Sequence, residues 1–256
     1  MQAAALALSI GMAVAAGLVG CFAVMRRMSL ASDAMSHVAL PGIGIALAFH
    51  FHPVVGGAAA LVLGTLLVWG LERRTQISIE TVIGVVFSLA LAVGSMLATG
   101  DELVDALLGA PGTLGRSELA LGLAGSAVVV AFVLTQRNRL VLALVSADIA
   151  RTSGIRVARL ELLYLLAFAL TVALGLRYLG VLLMGSLIII PAATAKHLAR
   201  SLHGMFAIAV VVAVTSTVGG EIVAARVHRP TGPVIIAIAA ALFFASLALG
   251  RRARAG

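Results

Sequence analysis

Apolar residues fall into nine runs along the chain, over 3–25, 32–49, 53–71, 81–99, 119–135, 160–176, 178–195, 205–225 and 231–249. Each is close to the roughly 20 residues that a helix needs to cross the hydrocarbon core of a bilayer. The pattern predicts an all-α fold, a polytopic transmembrane helical bundle of about nine spans forming one domain over residues 1–256. The second run, interrupted by Asp33 and His37, is weak, and so are the sixth and seventh, parted only by Arg177; a count of eight or ten fits the same pattern. The first run has no basic segment before it and continues to Met25, so it reads as a retained span rather than a cleaved signal.

Composition supports lipid as the solvent. Hydrophobic residues make up 62% of the chain and charged residues 11%, with a mean hydropathy of +1.16. A soluble domain carries roughly 25% charged residues to keep its surface wet. The net charge of +8 would also suit a nucleic-acid binder, but such a protein would not be this apolar, and no nucleic-acid partner is expected. With nine spans and the N-terminus outside, only Arg116, Arg177, Arg226 and Arg229 among the 18 Lys and Arg residues lie outside. That is the bias of the positive-inside rule, and it places the C-terminus in the cytoplasm. The single cysteine, Cys21, excludes an intrachain disulfide.

The same layout leaves residues 136–161 as the longest cytoplasmic stretch. Within 146–156, Ser146 is placed to cap a short helix and Gly154 to end it. A polar helix too hydrophilic to insert offers a grip for a cytoplasmic partner; an ordinary connecting loop is the alternative.

Asp33 and His37 hold the most chemistry. Four residues apart on a helix, they share one face with about 6 Å between them. A carboxylate and an imidazole so placed can both ligate one divalent cation, and the pair suits zinc and tolerates manganese. Ionisable groups within a span are costly and point to function. Pro41-Gly42 follows, expected to bend the helix and free backbone carbonyls nearby. The alternative is that Asp33 caps the second span and His37 makes a structural hydrogen bond. Two ligands are too few for a closed site, whereas two chains across a symmetry axis would supply two Asp and two His. Elsewhere, His50 and His52 sit at the outer end of the second span, as cation-capturing groups or a wet interface. Asp101, Glu102 and Asp105 form an outer acidic cluster, either attracting cations or docking a basic partner, or simply solvated. Glu221, alone in the eighth span, is placed either on a pathway or in a pair with Arg226.

Lys196 is the sole lysine and no Gly-rich loop precedes it, so the chain has no P-loop and is not expected to hydrolyse ATP. Neither Gly-x-Ser-x-Gly nor His-Glu-x-x-His occurs, which argues against a membrane-embedded hydrolase.

Four stretches resemble the zinc/manganese/iron ABC permease family, which the likeness spans over essentially the whole chain. They are Arg27 to Gly42; Ile79 to Ser88; Asp148-Ile149-Ala150 with Gly154-Ile155; and Gly180 to Ala195 followed by Pro230-Thr231-Gly232-Pro233. The resemblance implies a homodimer in the bacterial inner membrane, each copy resting on a cytoplasmic ABC ATPase subunit and fed by a periplasmic or lipid-anchored metal-binding protein. It implies that Asp33 and His37 line the pathway of a divalent metal that is cargo rather than permanent cofactor, and that 148–154 is the coupling helix. The departures are Ala110-Pro111-Gly112, where the family tends to carry an acidic residue after the glycine, and Glu221. The competing reading is a secondary transporter exporting a small solute or ion, with Asp33, His37 and Glu221 relaying protons and no ATPase attached.

Overall fold

The computed structural model describes residues 2–28, 31–75, 77–97, 115–178 and 181–252, and among them every regular element is a helix. In chain order these are α1 (Gln2–Met25), α2 (Ala31–Ala48), α3 (Pro53–Arg74), α4 (Ile79–Leu97), α5 (Arg116–Val145), α6 (Ala147–Thr152), α7 (Val157–Tyr178), α8 (Val181–Leu198), α9 (Leu202–Val227) and α10 (Thr231–Arg252). Each of the nine apolar runs falls on a helix of 18 residues or more. Among the described residues, seven of these are long and apolar enough to cross a membrane, which makes the chain a multi-pass membrane protein. The two that fall short are α2, diluted by Asp33, His37 and three residues of Ser or Pro, and α8, whose apolar part is Leu183–Leu198. Boundaries differ most at α5, which runs ten residues past the apolar run that marked it. Gln136 to Arg139 are polar but contain no helix breaker, so the helix continues to Ser146.

α1 is the axis of the bundle. It packs against α5, α7, α8 and α9, and its Ala13, Ala16, Val19 and Phe22 are 0–1% exposed. Lipid gives helices no hydrophobic reason to associate, so close backbone approach through small residues must supply the contact. Gly20 does this against α8: a Cβ there would strike the carbonyl of Ile188. Tyr164 of α7 is fully buried, and its hydroxyl donates to the Val19 carbonyl at 3.1 Å.

Two three-helix groups flank this axis. α2 lies against α3 and α4, α10 lies against α8 and α9, and the groups meet where α2 packs on α8. Gly42 and Gly56 bring α2 and α3 into backbone contact, since a Cβ on either would strike the other's carbonyl. Arg26, just beyond α1, ties three elements together: its guanidinium is 3.2 Å from Glu161 of α7 and 4.0 Å from Glu72 of α3, and lies 5.8 Å from the Tyr164 ring centre.

Several helices end alike. After α1, α2, α6 and α9, the residues Arg27, His50, Gly154 and His228 take positive φ, and the following N–H reaches back to a carbonyl of the last turn. This closure satisfies carbonyls that a helix C-terminus leaves unpaired.

Candidate functional site

Asp33 stands in the first turn of α2, where the partial positive charge of the helix N-terminus favours a carboxylate. It is exposed, and no hydrogen bond or ion pair engages it among the described residues. Its neighbour across the helix interface is Gly185 of α8. A Cβ there would lie 3.4 Å from Asp33 Cα and 3.6 Å from its Oδ1, so the missing side chain leaves the carboxylate room. The adjacent face of α2 holds the register: Ser32 Oγ donates to the Gly185 carbonyl at 3.3 Å, and Ser36 Oγ donates to the Ser32 carbonyl at 2.7 Å.

His37 follows one turn later. Its ring sits edge-on to Phe87 of α4, with centres 5.5 Å apart, and its Nδ1 is buried with no hydrogen-bond partner. A buried polar atom left unsatisfied costs about 1–3 kcal/mol, so an imidazole held this way is suited to a cation or a water. Pro41 adds a third group. The helix continues through it from Ala31 to Ala48 rather than breaking, yet proline has no N–H to give the His37 carbonyl four residues back. Asp33 and His37 thus stand one turn apart on α2, the first beside Gly185 of α8 and the second against Phe87 of α4, with the His37 carbonyl denied the N–H that Pro41 lacks. No group of three or more His, Cys, Asp or Glu side chains able to hold a metal occurs among the described residues.

The other sequence candidates separate from this site. His50 closes α2 in a left-handed conformation and His52 precedes Pro53 at the start of α3, so both serve the α2–α3 turn and both are exposed. Glu221 on α9 is half-buried but forms no ion pair with Arg226. Five residues on a helix turn through about 140°, which points the two side chains apart. Asp101, Glu102, Asp105 and Ala110-Pro111-Gly112 lie outside the described residues.

The 146–156 segment forms the short helix α6. Ser146 Oγ accepts from the Ile149 N–H, and Gly154 ends it at φ +78, a conformation that favours glycine. Only Ala150 is buried. Asp148 pairs with Arg151 at 2.8 Å in the open, and Ile149 is 55% exposed. Sequence reasoning missed Gly185, Phe87 and the Arg26–Glu72–Glu161 cluster. Gly185 lies within the Gly180–Ala195 stretch, but nothing along the chain says which helix it faces.

The chain is 30% identical over 234 residues to the high-affinity zinc uptake system membrane protein ZnuB of Haemophilus influenzae, covering 89% of each chain. It is 28% identical to the manganese transport system membrane protein MntC of Halalkalibacterium halodurans, covering 93% of this chain and 84% of that one. Among solved structures, PsaBC from Streptococcus pneumoniae in complex with Fab superposes with a TM-score of 0.80 at 25% identity, over 94% of this chain and 89% of that one. Residues 1–250 match the model of the ABC 3 transport family, and the chain belongs to that family.

Proposed function

We propose that this chain is the membrane-spanning permease subunit of a bacterial ABC importer that moves a divalent metal, zinc or manganese or iron, into the cell. The observation that carries the reading is on α2: an unengaged carboxylate at Asp33 and an unpaired, buried Nδ1 at His37, one helical turn apart. The metal is cargo. A partly open set of ligands suits cargo, because binding must be loose enough to release the ion inward. The working unit is a homodimer in the inner membrane with nine spans per copy, α2 and α8 included. Power comes from a separate cytoplasmic ATPase subunit, and metal arrives on a periplasmic or lipid-anchored binding protein. The exposed face of α6, with Asp148 and Ile149, grips the ATPase. Relatives named for zinc and manganese systems support the cargo class.

Uptake of radiolabelled zinc and manganese tests this in a strain lacking the chain. Wild type restores uptake, and Asp33→Ala and His37→Ala do not, at matched membrane abundance. Wild-type uptake by both variants would return these residues to capping and packing roles. The purified chain alone hydrolyses no ATP, and activity appears only with the partner subunit.

A further inference from the structure

The arginines at the cytoplasmic end gather around a cavity that the transport reading leaves unused. It has a volume of about 690 Å³ between α3, α6 and α7, and Trp69, Arg73, Arg151, Arg156, Arg159 and Glu161 are among its lining residues. Arg151 is committed to Asp148, and Glu161 to Arg26. Arg73, Arg156 and Arg159 have no carboxylate partner among the described residues, and all three are exposed. Three uncompensated guanidinium groups around one cavity form an anion site.

The walls say which anion. The indole N–H of Trp69, the sole tryptophan, donates to the Ala158 carbonyl at 3.1 Å, pinning α3 to α7, and Arg73 stacks on its ring with 5.1 Å to the centre. Trp69 and Arg73 also line the adjoining hollow, of about 530 Å³, which contains Leu67, Gly70 and Leu71. From there Leu71, Leu67 and Leu63 continue along one face of α3 at four-residue spacing, exposed by 38%, 47% and 66%, and nothing stands within 4 Å of where a Gly70 Cβ would be. A polyanionic protein surface would match the arginines but has no use for an apolar track leading away from them into the span. A phospholipid matches both.

We propose that this cavity binds the phosphate headgroup of an anionic phospholipid from the inner leaflet, with an acyl chain lying along Leu71, Leu67 and Leu63. The guanidinium of Arg73, held over the Trp69 ring, and those of Arg156 and Arg159 receive the phosphate. Because α6 forms one wall, the lipid also braces that helix against α3 and α7. This holds whichever ion the chain carries.

The test is native mass spectrometry on the full-length protein in detergent, titrated with phosphatidylglycerol or phosphatidylcholine. Wild type retains phosphatidylglycerol preferentially. The triple variant Arg73→Gln/Arg156→Gln/Arg159→Gln weakens that binding at least tenfold, since each basic group near an anionic surface contributes separately. A control triple with the same charge loss elsewhere, Arg27→Gln/Arg137→Gln/Arg200→Gln, keeps it. Equal retention by both triples overturns the proposal. So does full competition by millimolar inorganic phosphate, which would mean a free-anion site, and so does loss of ATPase association with unchanged lipid binding, which would mean a protein-docking surface. Should the triple variant fold poorly by circular dichroism, Leu67→Gln and Arg156→Gln singly must each lower phosphatidylglycerol retention, and failure of both overturns it too.

Discussion

α2 and α8 are built alike but carry different groups. Each has 18 residues, each carries a proline ten residues beyond its first, and the two pack on one another. In both, the helix continues through the proline because neighbouring helices hold it in place. Along α8 no ionisable group occurs before Lys196, and Leu187, Ile188 and Ala192 are 0–1% exposed. Along α2, Asp33 and His37 interrupt the apolar surface, and Pro41 withholds its N–H from the carbonyl of His37 itself. The same proline-containing form thus holds no ionisable group before its last turn in one helix and carries a carboxylate and an imidazole in the other. What separates them is which carbonyl the proline leaves free and whether a side chain beside it can bind a cation.

The widest gap between the helices should appear on replacing His37 and Leu187. His37→Ala is expected to lower metal uptake at least a hundredfold while the protein remains folded. Leu187→Ala, which opens a cavity in the wall, should cost about 2 kcal/mol of stability and leave uptake per folded molecule near wild type. Parallel uptake assays and thermal melts in detergent measure both, and equal uptake losses would break the contrast.

The glycines at the two contacts of α8 sharpen it further. Gly20→Ala drives a methyl into the Ile188 carbonyl, so α1 and α8 must part, at a cost of about 1–3 kcal/mol in a melt. Gly185→Ala meets only ordinary contact distances and should barely move the melting temperature, yet it sets a methyl beside Asp33 and should lower uptake several-fold.

Arg26 checks that stability and transport come from separate places. Arg26→Gln leaves Glu72 and Glu161 without their shared cation, with all three side chains under a third exposed. A loss of about 2 kcal/mol in a melt is expected. Glu72→Gln should cost less, because Arg26 keeps its closer contact with Glu161.

His50→Gly gives the smallest effect and the cleanest sign. Glycine relieves the left-handed strain at the end of α2, so stability should rise by about 1 kcal/mol with uptake unchanged. A fall in uptake would make His50 a capturing ligand and extend the chemistry of α2 to its outer end.

The sequence by itself determined the membrane class, the helices under all nine apolar runs, and the short helix with its Ser146 cap and Gly154 stop. Those are local matters: apolar length, caps and positive φ are written in neighbouring residues. It also singled out Asp33 and His37, because two ionisable groups at helical spacing in an apolar run are conspicuous without any partner in view. Tertiary structure alone decided that Gly185 gives Asp33 its space, that Phe87 rather than a hydrogen bond meets the His37 ring, and that Glu221 and Arg226 do not pair. It alone gathered Arg26, Glu72 and Glu161 from three helices and aligned unpaired arginines with an exposed leucine track. Such contacts join residues far apart in the chain, and in a bundle where almost every helix is Ala-, Val- and Leu-rich, close packing of particular glycines and a few inter-helix polar contacts select which faces meet.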